Sequence, residues 1–271
     1  MKFDMGLAWR DAMAMLKANR EVMLIVSGVF FFLPSLAAVL LLPDMQPPKG
    51  GSAQQTEQFL MEFYLRNGPI FVVMGLIQAV GLIALLALLR DDTKPTVGDA
   101  LKTGLIGLLP YIGTQLLIAL ALAAIVGGAI AGPAAMGLGI VAGILAVVAV
   151  PIIVYVLIKL SLILPVIAIE KVMNPVALVK RSWALTKGNS LRILAFYILL
   201  GIVFMVISLI VGMVFGLALA LLGQGTAYLI ANGIISGALG AVATMIFASV
   251  LAAVHRQLAG PSTGNISRTF E

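Results

Sequence analysis

Chemical groups on which many enzymes and metal sites depend are scarce in this chain of 271 residues, which has no cysteine and a single histidine. The missing thiols exclude disulfides, thiolate metal sites and thiol catalysis. One histidine falls short of the several His, Asp and Glu ligands that a metal hydrolase gathers at one site, and the sequence has no Gly-Lys-Ser/Thr phosphate-binding loop. We therefore predict a non-catalytic protein without a metal, a cofactor or a nucleic-acid partner.

Charge is scarce as well, since only 10% of the residues are Asp, Glu, Lys or Arg, whereas 62% are hydrophobic and the mean hydropathy is +1.15. Six runs without a charged residue or a histidine reach the length of about 20 residues that a helix needs to cross a bilayer. They are residues 22–42, 69–89, 110–131, 138–158, 193–222 and 227–254. The sequence predicts an all-α polytopic membrane protein with six transmembrane helices and amphipathic interfacial helices on the cytoplasmic side. Residues 1–256 form one membrane domain in this prediction, and residues 257–271 form a polar cytoplasmic tail.

The distribution of cations predicts the orientation of the spans. Lys and Arg near span ends are retained on the cytoplasmic side, and an N-terminus inside leaves only Lys49 and Arg66 of the 17 Lys and Arg residues outside. With six spans the C-terminus is then cytoplasmic as well. The first run is long enough to span and lacks a small-residue cleavage site, so we expect it to remain in the protein.

The stretch NPVALVKRSWALTKGNSLRIL, residues 174–194, is unusually basic for this chain. Asn174 is a good N-cap and Gly188 a good C-terminal stop, which together predict a helix over about residues 175–187. Its apolar side chains fall on one half of the helical wheel and its cations on the other, a pattern typical of a helix in the membrane interface. The residues predicted to contact anionic lipid are Lys180, Arg181, Trp183 and Lys187. An ordinary connector that packs on neighbouring spans is an equally good interpretation.

Two other stretches resemble this one. Residues 14–19 align without gaps with residues 184–189, and TVGDALKTG at 96–104 is a weaker copy. Each precedes a span, so the chain is predicted to contain three units, residues 1–90, 91–170 and 171–256, each with an interfacial helix followed by a hairpin. Between the first two spans, Ser52 and Gln55 have capping-box spacing, which predicts a short external helix that ends at residues 67–69.

The polar residues inside the spans are mostly neutral. Lys159 is flanked by long apolar runs, and Glu170 is its predicted partner in an interfacial charge pair if residues 161–169 fold back along the membrane. Interhelical hydrogen bonds explain Gln78, Gln115 and Asn232 without a substrate. A hydrated cavity reaching these three amides would instead favour a transporter.

Small residues recur every four positions along the last two spans, which permits close approach of helix backbones. They include Ser208, Gly212, Gly216, Ser236, Gly240 and Thr244. These stripes are predicted to pack the last two spans together or to contact another subunit.

Residues 159–194, KLSLILPVIAIEKVMNPVALVKRSWALTKGNSLRIL, resemble the membrane domain fused to some glycerophosphoryl diester phosphodiesterases and the related stand-alone YciC-like bacterial inner-membrane proteins. The matching positions are Lys159, Pro165, Glu170, Ala177, Leu178, Ser182, Trp183 and 187–189. The resemblance implies a multi-pass protein of the bacterial cytoplasmic membrane. Phosphodiesterase activity is not expected, because the sequence has no counterpart of the soluble metal-dependent barrel.

The function that the sequence favours is that of a scaffold or accessory factor in membrane lipid or envelope homeostasis. Its predicted partners are membrane lipids with anionic phospholipid headgroups, together with a membrane-protein partner or a second copy of the chain. The alternative is a small-molecule or lipid transporter.

Overall fold

The computed structural model describes residues 2–42, 50–90, 95–221, 223 and 225–260, and every regular element within these ranges is a helix. Six segments are long and apolar enough to cross a membrane. The predicted all-α fold with six helices that could span a membrane is therefore confirmed, whereas the sidedness of the spans and the interfacial position of the amphipathic helices stay predictions.

The described residues form ten α-helices, and α8 lies outside the six candidate spans. The first span consists of α1 (Met5–Ser27), a π-helical turn (Gly28–Phe32) and α2 (Leu33–Leu41), and the second is α3 (Ala53–Leu88). The third joins α4 (Val97–Val126) through a π-helical turn (Gly127–Ala131) to the short α5 (Gly132–Ala135). Then follow α6 (Gly139–Lys159), α7 (Ile163–Ala168), α8 (Pro175–Leu185), α9 (Ser190–Ala220) and α10 (Thr226–Ala259). The helix α10 runs past the predicted tail boundary, and residues 261–271 of that tail lie outside the described residues.

Of the three predicted interfacial helices, only α8 is a separate element. The first copy starts α1, which continues without a break to Ser27, and the weaker copy starts α4. Gly188 explains the difference, since its φ of +79° lies in the left-handed region that ends a helix easily. The aligned residue in the first copy is Ala18, which continues the helix. The division into three units stays a prediction.

The external helix begins where predicted but does not end where predicted. The capping box at Ser52 is present, but α3 passes through Pro69 instead of ending before it. Proline removes one backbone hydrogen bond and normally disfavours this. Here the amide of Asn67 donates to the carbonyl of Phe63 at 2.9 Å, and the rings of Phe63 and Phe71 lie 6.1 Å apart across the proline. These local side-chain contacts lie on both sides of Pro69 within the continuous helix.

Buried side chains are concentrated at one end of the bundle. There α1 packs mainly on α10, α3 packs mainly on α4, and α7 lies among α3, α4, α8 and α10. Val166 and Ile167 of α7 are fully buried. The chain therefore folds back into the bundle after α6. A course of residues 161–169 along the membrane, the condition set for the Lys159–Glu170 pair, is not tested by this packing.

Both ends of the described chain meet at this same end of the bundle, which we call the α8 end. The backbone N–H of Phe3 donates to Asn189 Oδ1 at 2.8 Å, next to α8. Arg256, near the end of α10, pairs with Asp11 of α1 at 2.8 Å. These contacts join the first and last spans and the α8–α9 turn.

The predicted small-residue stripes do not face each other. A Cβ built on Gly212, Gly216 or Gly240 would have nothing within 4 Å. Ser208 and Ser236 are exposed, and the hydroxyls of Ser236 and Thr244 donate to carbonyls of their own helix. Contact of these stripes with another subunit stays a prediction.

A neighbouring stripe of α10 makes the close contact instead. Gly233 and Gly237 are buried against the first span, where an added Cβ would lie 2.9 Å from Leu36 Cδ1 and 3.1 Å from Phe32 Cδ2, respectively. Small residues therefore do pack on a neighbouring span, but the face involved is offset by one residue and its partner is the first span. Which face of α10 makes this contact depends on where the first span lies in the bundle. The sequence of α10 does not specify that position.

Candidate functional site

The break between α6 and α7 exposes backbone groups that α8 satisfies. Ser182 Oγ donates to the carbonyl of Lys159 at 2.7 Å and accepts from the N–H of Leu162 at 3.3 Å. Thr186 Oγ1 reaches the same Lys159 carbonyl at 3.4 Å. Because backbone groups buried away from water must be paired, a helix break inside the bundle needs such partners from the protein. Ser182 of α8, together with Thr186 just after it, therefore anchors this part of the chain to the break between α6 and α7.

A three-residue charge cluster, Glu170, Arg181 and His255, lies beside this anchor. Arg181 Nε donates to Glu170 Oε2 at 2.7 Å, and Arg181 Nη2 donates to Oε1 at 2.9 Å. His255 Nε2 lies 2.8 Å from the same Oε1. The side chain of His255 is only 4% exposed. The cluster joins α8, α10 and the α7–α8 connection, so it ties three separate parts of the chain together.

The cluster keeps Glu170 ionised. Burial by itself raises the pKa of this carboxyl group, but the hydrogen bonds from His255 and Arg181 outweigh it and lower the pKa from 4.5 to about 2. The hydrogen bond to Glu170 in turn raises the pKa of Arg181. The charges of this cluster stabilise each other, which is consistent with a structural role.

The turn at Lys171 helps to place Glu170. Lys171 has a φ of 56°, the one non-glycine residue with positive φ among those described. This left-handed conformation is uncommon for a residue with a Cβ. It reverses the chain between α7 and α8, immediately after Glu170.

Lys159 does not form the predicted pair with Glu170. Its Nζ lies 5.4 Å from the centroid of the Tyr155 ring and 5.6 Å from that of Trp183. Arg181 takes the carboxylate because its planar guanidinium offers two parallel donors. Lys159 is nevertheless buried, with 2% of its surface exposed. The structure thus places a buried cation against two aromatic rings.

The four residues of the predicted lipid interface do not share one environment. Lys180 and Lys187 are exposed, and Trp183 is 39% exposed with its ring edge-on to Tyr155 at 5.9 Å. Arg181 instead turns toward Glu170. The exposed cationic surface of α8 is therefore smaller than predicted.

His255 and Asn189 are the site residues that sequence reasoning missed. His255 is the only histidine, and its position beside Arg256 at a span end suggested an interfacial residue without a specific partner. Asn189 Oδ1 accepts from Phe3, across most of the chain. A buried histidine and a carboxylate in an apolar chain are a general signal for pairing, but the partner depends on tertiary packing.

The described residues hold no group of three or more His, Cys, Asp and Glu side chains that could bind a metal ion. Of the amides considered for transport, Gln115 is exposed, while Gln78 and Asn232 are half-buried. No family model, curated protein or solved structure matches the chain. The resemblance of residues 159–194 to the phosphodiesterase-associated membrane domain therefore stays a prediction.

Proposed function

We propose that this chain is a non-catalytic membrane protein that holds anionic phospholipid around its α8 end and serves as a scaffold or accessory factor in membrane lipid or envelope homeostasis. In this proposal it resides in the bacterial cytoplasmic membrane, with both termini and α8 on the cytoplasmic side. The observation that carries the proposal is the arrangement of α8. Leu178, Ser182 and Leu185 are buried, while Lys180 and Trp183 are exposed on the same short helix.

This arrangement suits the surface of an anionic membrane. A Lys or Arg side chain near anionic headgroups contributes about 1 kcal/mol of attraction, and tryptophan is enriched at the level of the headgroups. The buried contacts of Ser182 and the Arg181–Glu170 pair prevent α8 from leaving the bundle. Lys180 and Lys187 are therefore presented on a rigid support.

The burial of the charge cluster supports a non-catalytic role, because the side chain of His255 is only 4% exposed. Its histidine and its carboxylate are bonded to each other, and Arg181 covers the remaining side of the carboxylate. These are the groups that would serve as a general acid or base in this part of the chain. Their mutual contacts instead connect α10 to α8.

The proposal is tested by replacing Lys180 and Lys187 together with Gln. Phosphatidylglycerol and cardiolipin that remain bound after purification in mild detergent are counted by mass spectrometry. We expect the double variant to retain clearly less anionic lipid than the parent, because two exposed cations are lost. Arg181 is left in place, since its removal would leave Glu170 short of a partner.

The matched control is Lys180→Arg with Lys187→Arg, which keeps both charges and should keep the lipid. Reporter fusions establish that the Gln variant retains the parental topology. If the Gln variant retains as much anionic lipid as the parent, the proposal fails, and the α8 cations act only on orientation during insertion.

A further inference from the structure

A cavity of about 400 Å³ opens between the end of α6, the α8–α9 turn and the first turn of α9. Three cationic side chains line it, Lys159, Lys187 and Arg192, and no carboxylate is among the described residues of its lining. Arg192 and Lys187 reach the cavity from either side of the turn that contains Gly188. The cavity therefore concentrates positive charge at one place on the α8 end.

Lys159 distinguishes this cavity from an ordinary basic surface. It is 98% buried, and its ammonium group forms no hydrogen bond or ion pair with any other described residue. Removing an ammonium group from water without an anionic partner is costly. The faces of Tyr155 and Trp183 offset only part of this cost. A counter-anion in the cavity would supply the missing partner.

The start of α9 provides further anion-binding groups. The first turn of any helix has backbone N–H groups without an intrahelical acceptor, and the helix dipole favours negative charge there. Asn189 occupies the N-cap position of α9 but does not cap it, because its Oδ1 accepts from Phe3 instead. Ser190 and Leu191, in this first turn of α9, line the same cavity as Lys159.

Arg192 is also placed for an anion. Its Nη1 makes one long contact of 3.5 Å with the carbonyl of Phe3, and it has no carboxylate partner among the described residues. A guanidinium group with free donors suits the oxygens of a phosphate group. Together with the α9 N-terminus and two lysines, it surrounds a space large enough for a phosphate ester.

We propose that this cavity binds the phosphate group of an anionic phospholipid, with Lys159 as the buried cation that selects for it. A lipid fits better than free phosphate because Leu191 and Tyr155, which also line the cavity, are 79% and 47% exposed and apolar in character. Exposed apolar side chains continue along α6, for example Ile152 and Val148. An acyl chain has a path along them.

This site rests on the proposed function, because it binds one lipid molecule among those that α8 attracts. The two differ in the residues they need. General attraction depends on Lys180 and Lys187 at the surface, and Lys187 also lines the cavity. Lys159 is needed by the site alone, because it is almost fully buried. Lys180 does not line the cavity.

The test uses the full chain, delipidated in a neutral detergent, with Lys159→Met and Lys180→Gln as variants. Methionine replaces the unbranched apolar stem of Lys159 and removes its charge. Native mass spectrometry and thermal melting are recorded on adding phosphatidylglycerol, phosphatidylcholine or inorganic phosphate. We expect the parent and Lys180→Gln to bind one phosphatidylglycerol at least about tenfold more tightly than Lys159→Met.

Melting separates loss of the site from loss of the fold. Without lipid, Lys159→Met should melt no lower than the parent, because it removes an uncompensated buried charge. Added phosphatidylglycerol should raise the melting temperature of the parent and leave that of Lys159→Met unchanged. Equal lipid binding or an equal shift in the parent and Lys159→Met would overturn the site, even if the Lys180 and Lys187 variants confirmed the general attraction.

The measurement with inorganic phosphate shows whether the bound anion is a lipid or a soluble phosphate. Stabilisation of the parent by inorganic phosphate, with no effect of phosphatidylglycerol, would overturn the assignment to a lipid in favour of a soluble phosphate ligand. Equal binding of phosphatidylcholine would also overturn it, since three cations should prefer a lipid with net negative charge.

Discussion

At the scale of single residues, Glu170 and Lys159 show two ways of keeping a charge in an apolar protein. Glu170 is bonded to Arg181 and His255 within the chain. Among the described residues, the ammonium group of Lys159 has two aromatic faces and no anionic partner, so its charge is compensated from outside the chain in our proposal. Removing a partner of Glu170 should lower the stability of the fold. Removing the charge of Lys159 should weaken ligand binding.

Glu170 should make the stability of the α8 end depend on acid. Because its pKa falls from 4.5 to about 2 in the folded protein, its contribution is complete above pH 4.5 and is lost as the pH falls toward 2. We expect this contribution to be about 2 kcal/mol, after allowing for the solvent-exposed part of the carboxylate. Thermal melting in detergent from pH 7 to pH 3 measures it for the parent and for Glu170→Gln.

Glu170→Gln should melt lower than the parent at pH 7 and should lose less stability on acidification. Glu21→Gln is the control, since Glu21 is exposed on α1 and is not part of the charge cluster. Parallel pH profiles for the parent and Glu170→Gln would show that the cluster does not stabilise the fold.

At the scale of helices, close contacts through glycine determine how the spans pack. A Cβ on Gly104 of α4 would lie 2.6 Å from the backbone oxygen of Val80 in α3, and one on Gly107 would lie 2.6 Å from Ile167 in α7. The backbone of α4 therefore lies directly against two neighbours. Gly212 of α9 has open space around it, although the three glycines are alike in sequence context.

Gly104→Ala should destabilise the protein, because a backbone oxygen cannot move aside as the end of a side chain can. Overpacking of this kind costs about 1–3 kcal/mol. Gly212→Ala, the matched control, should be neutral or slightly stabilising, since alanine favours the helix by up to about 1 kcal/mol. Melting temperatures in detergent compare the two. A larger loss for Gly212→Ala would place the main contact on α9, against the structure.

At the scale of the whole molecule, packing is dense at the α8 end and sparse along the rest of several spans. The buried side chains of α3 and α10 lie mostly in their second halves, and α9 has few buried residues. The ends of α1 and α10 meet there through Asp11 and Arg256. The α8 end is therefore the rigid part of the molecule, and it also carries the proposed lipid contacts.

An even number of spans places the two ends of the described chain on the same side of the membrane. Reporter fusions after Gly260 and after Arg181 should both report the cytoplasm, because the cations near these positions are retained there. A fusion after Gly51 should report the opposite side. Opposite results for the fusions after Gly260 and Arg181 would contradict the arrangement of α8 beside the end of α10.

The sequence by itself determined the features that depend on a few neighbouring residues. Each membrane span follows from the hydrophobicity of its own residues, and the starts of α3, α4 and α8 follow from capping side chains at Ser52, Thr96 and Asn174. The stop after α8 follows from Gly188. In each case the stabilising contacts lie within one helical turn, so the local sequence contains all of them.

Tertiary structure alone decided which groups meet across the chain. His255 reaches Glu170 over a separation of 85 residues, Arg181 takes the carboxylate predicted for Lys159, and Gly233 rather than Gly240 packs on a neighbouring span. Several pairings are chemically acceptable in each case, and their energies differ by little until the positions of the helices are known. Those positions follow from the packing of the whole bundle, because each span is apolar around most of its surface and its own sequence specifies only weakly which face turns inward.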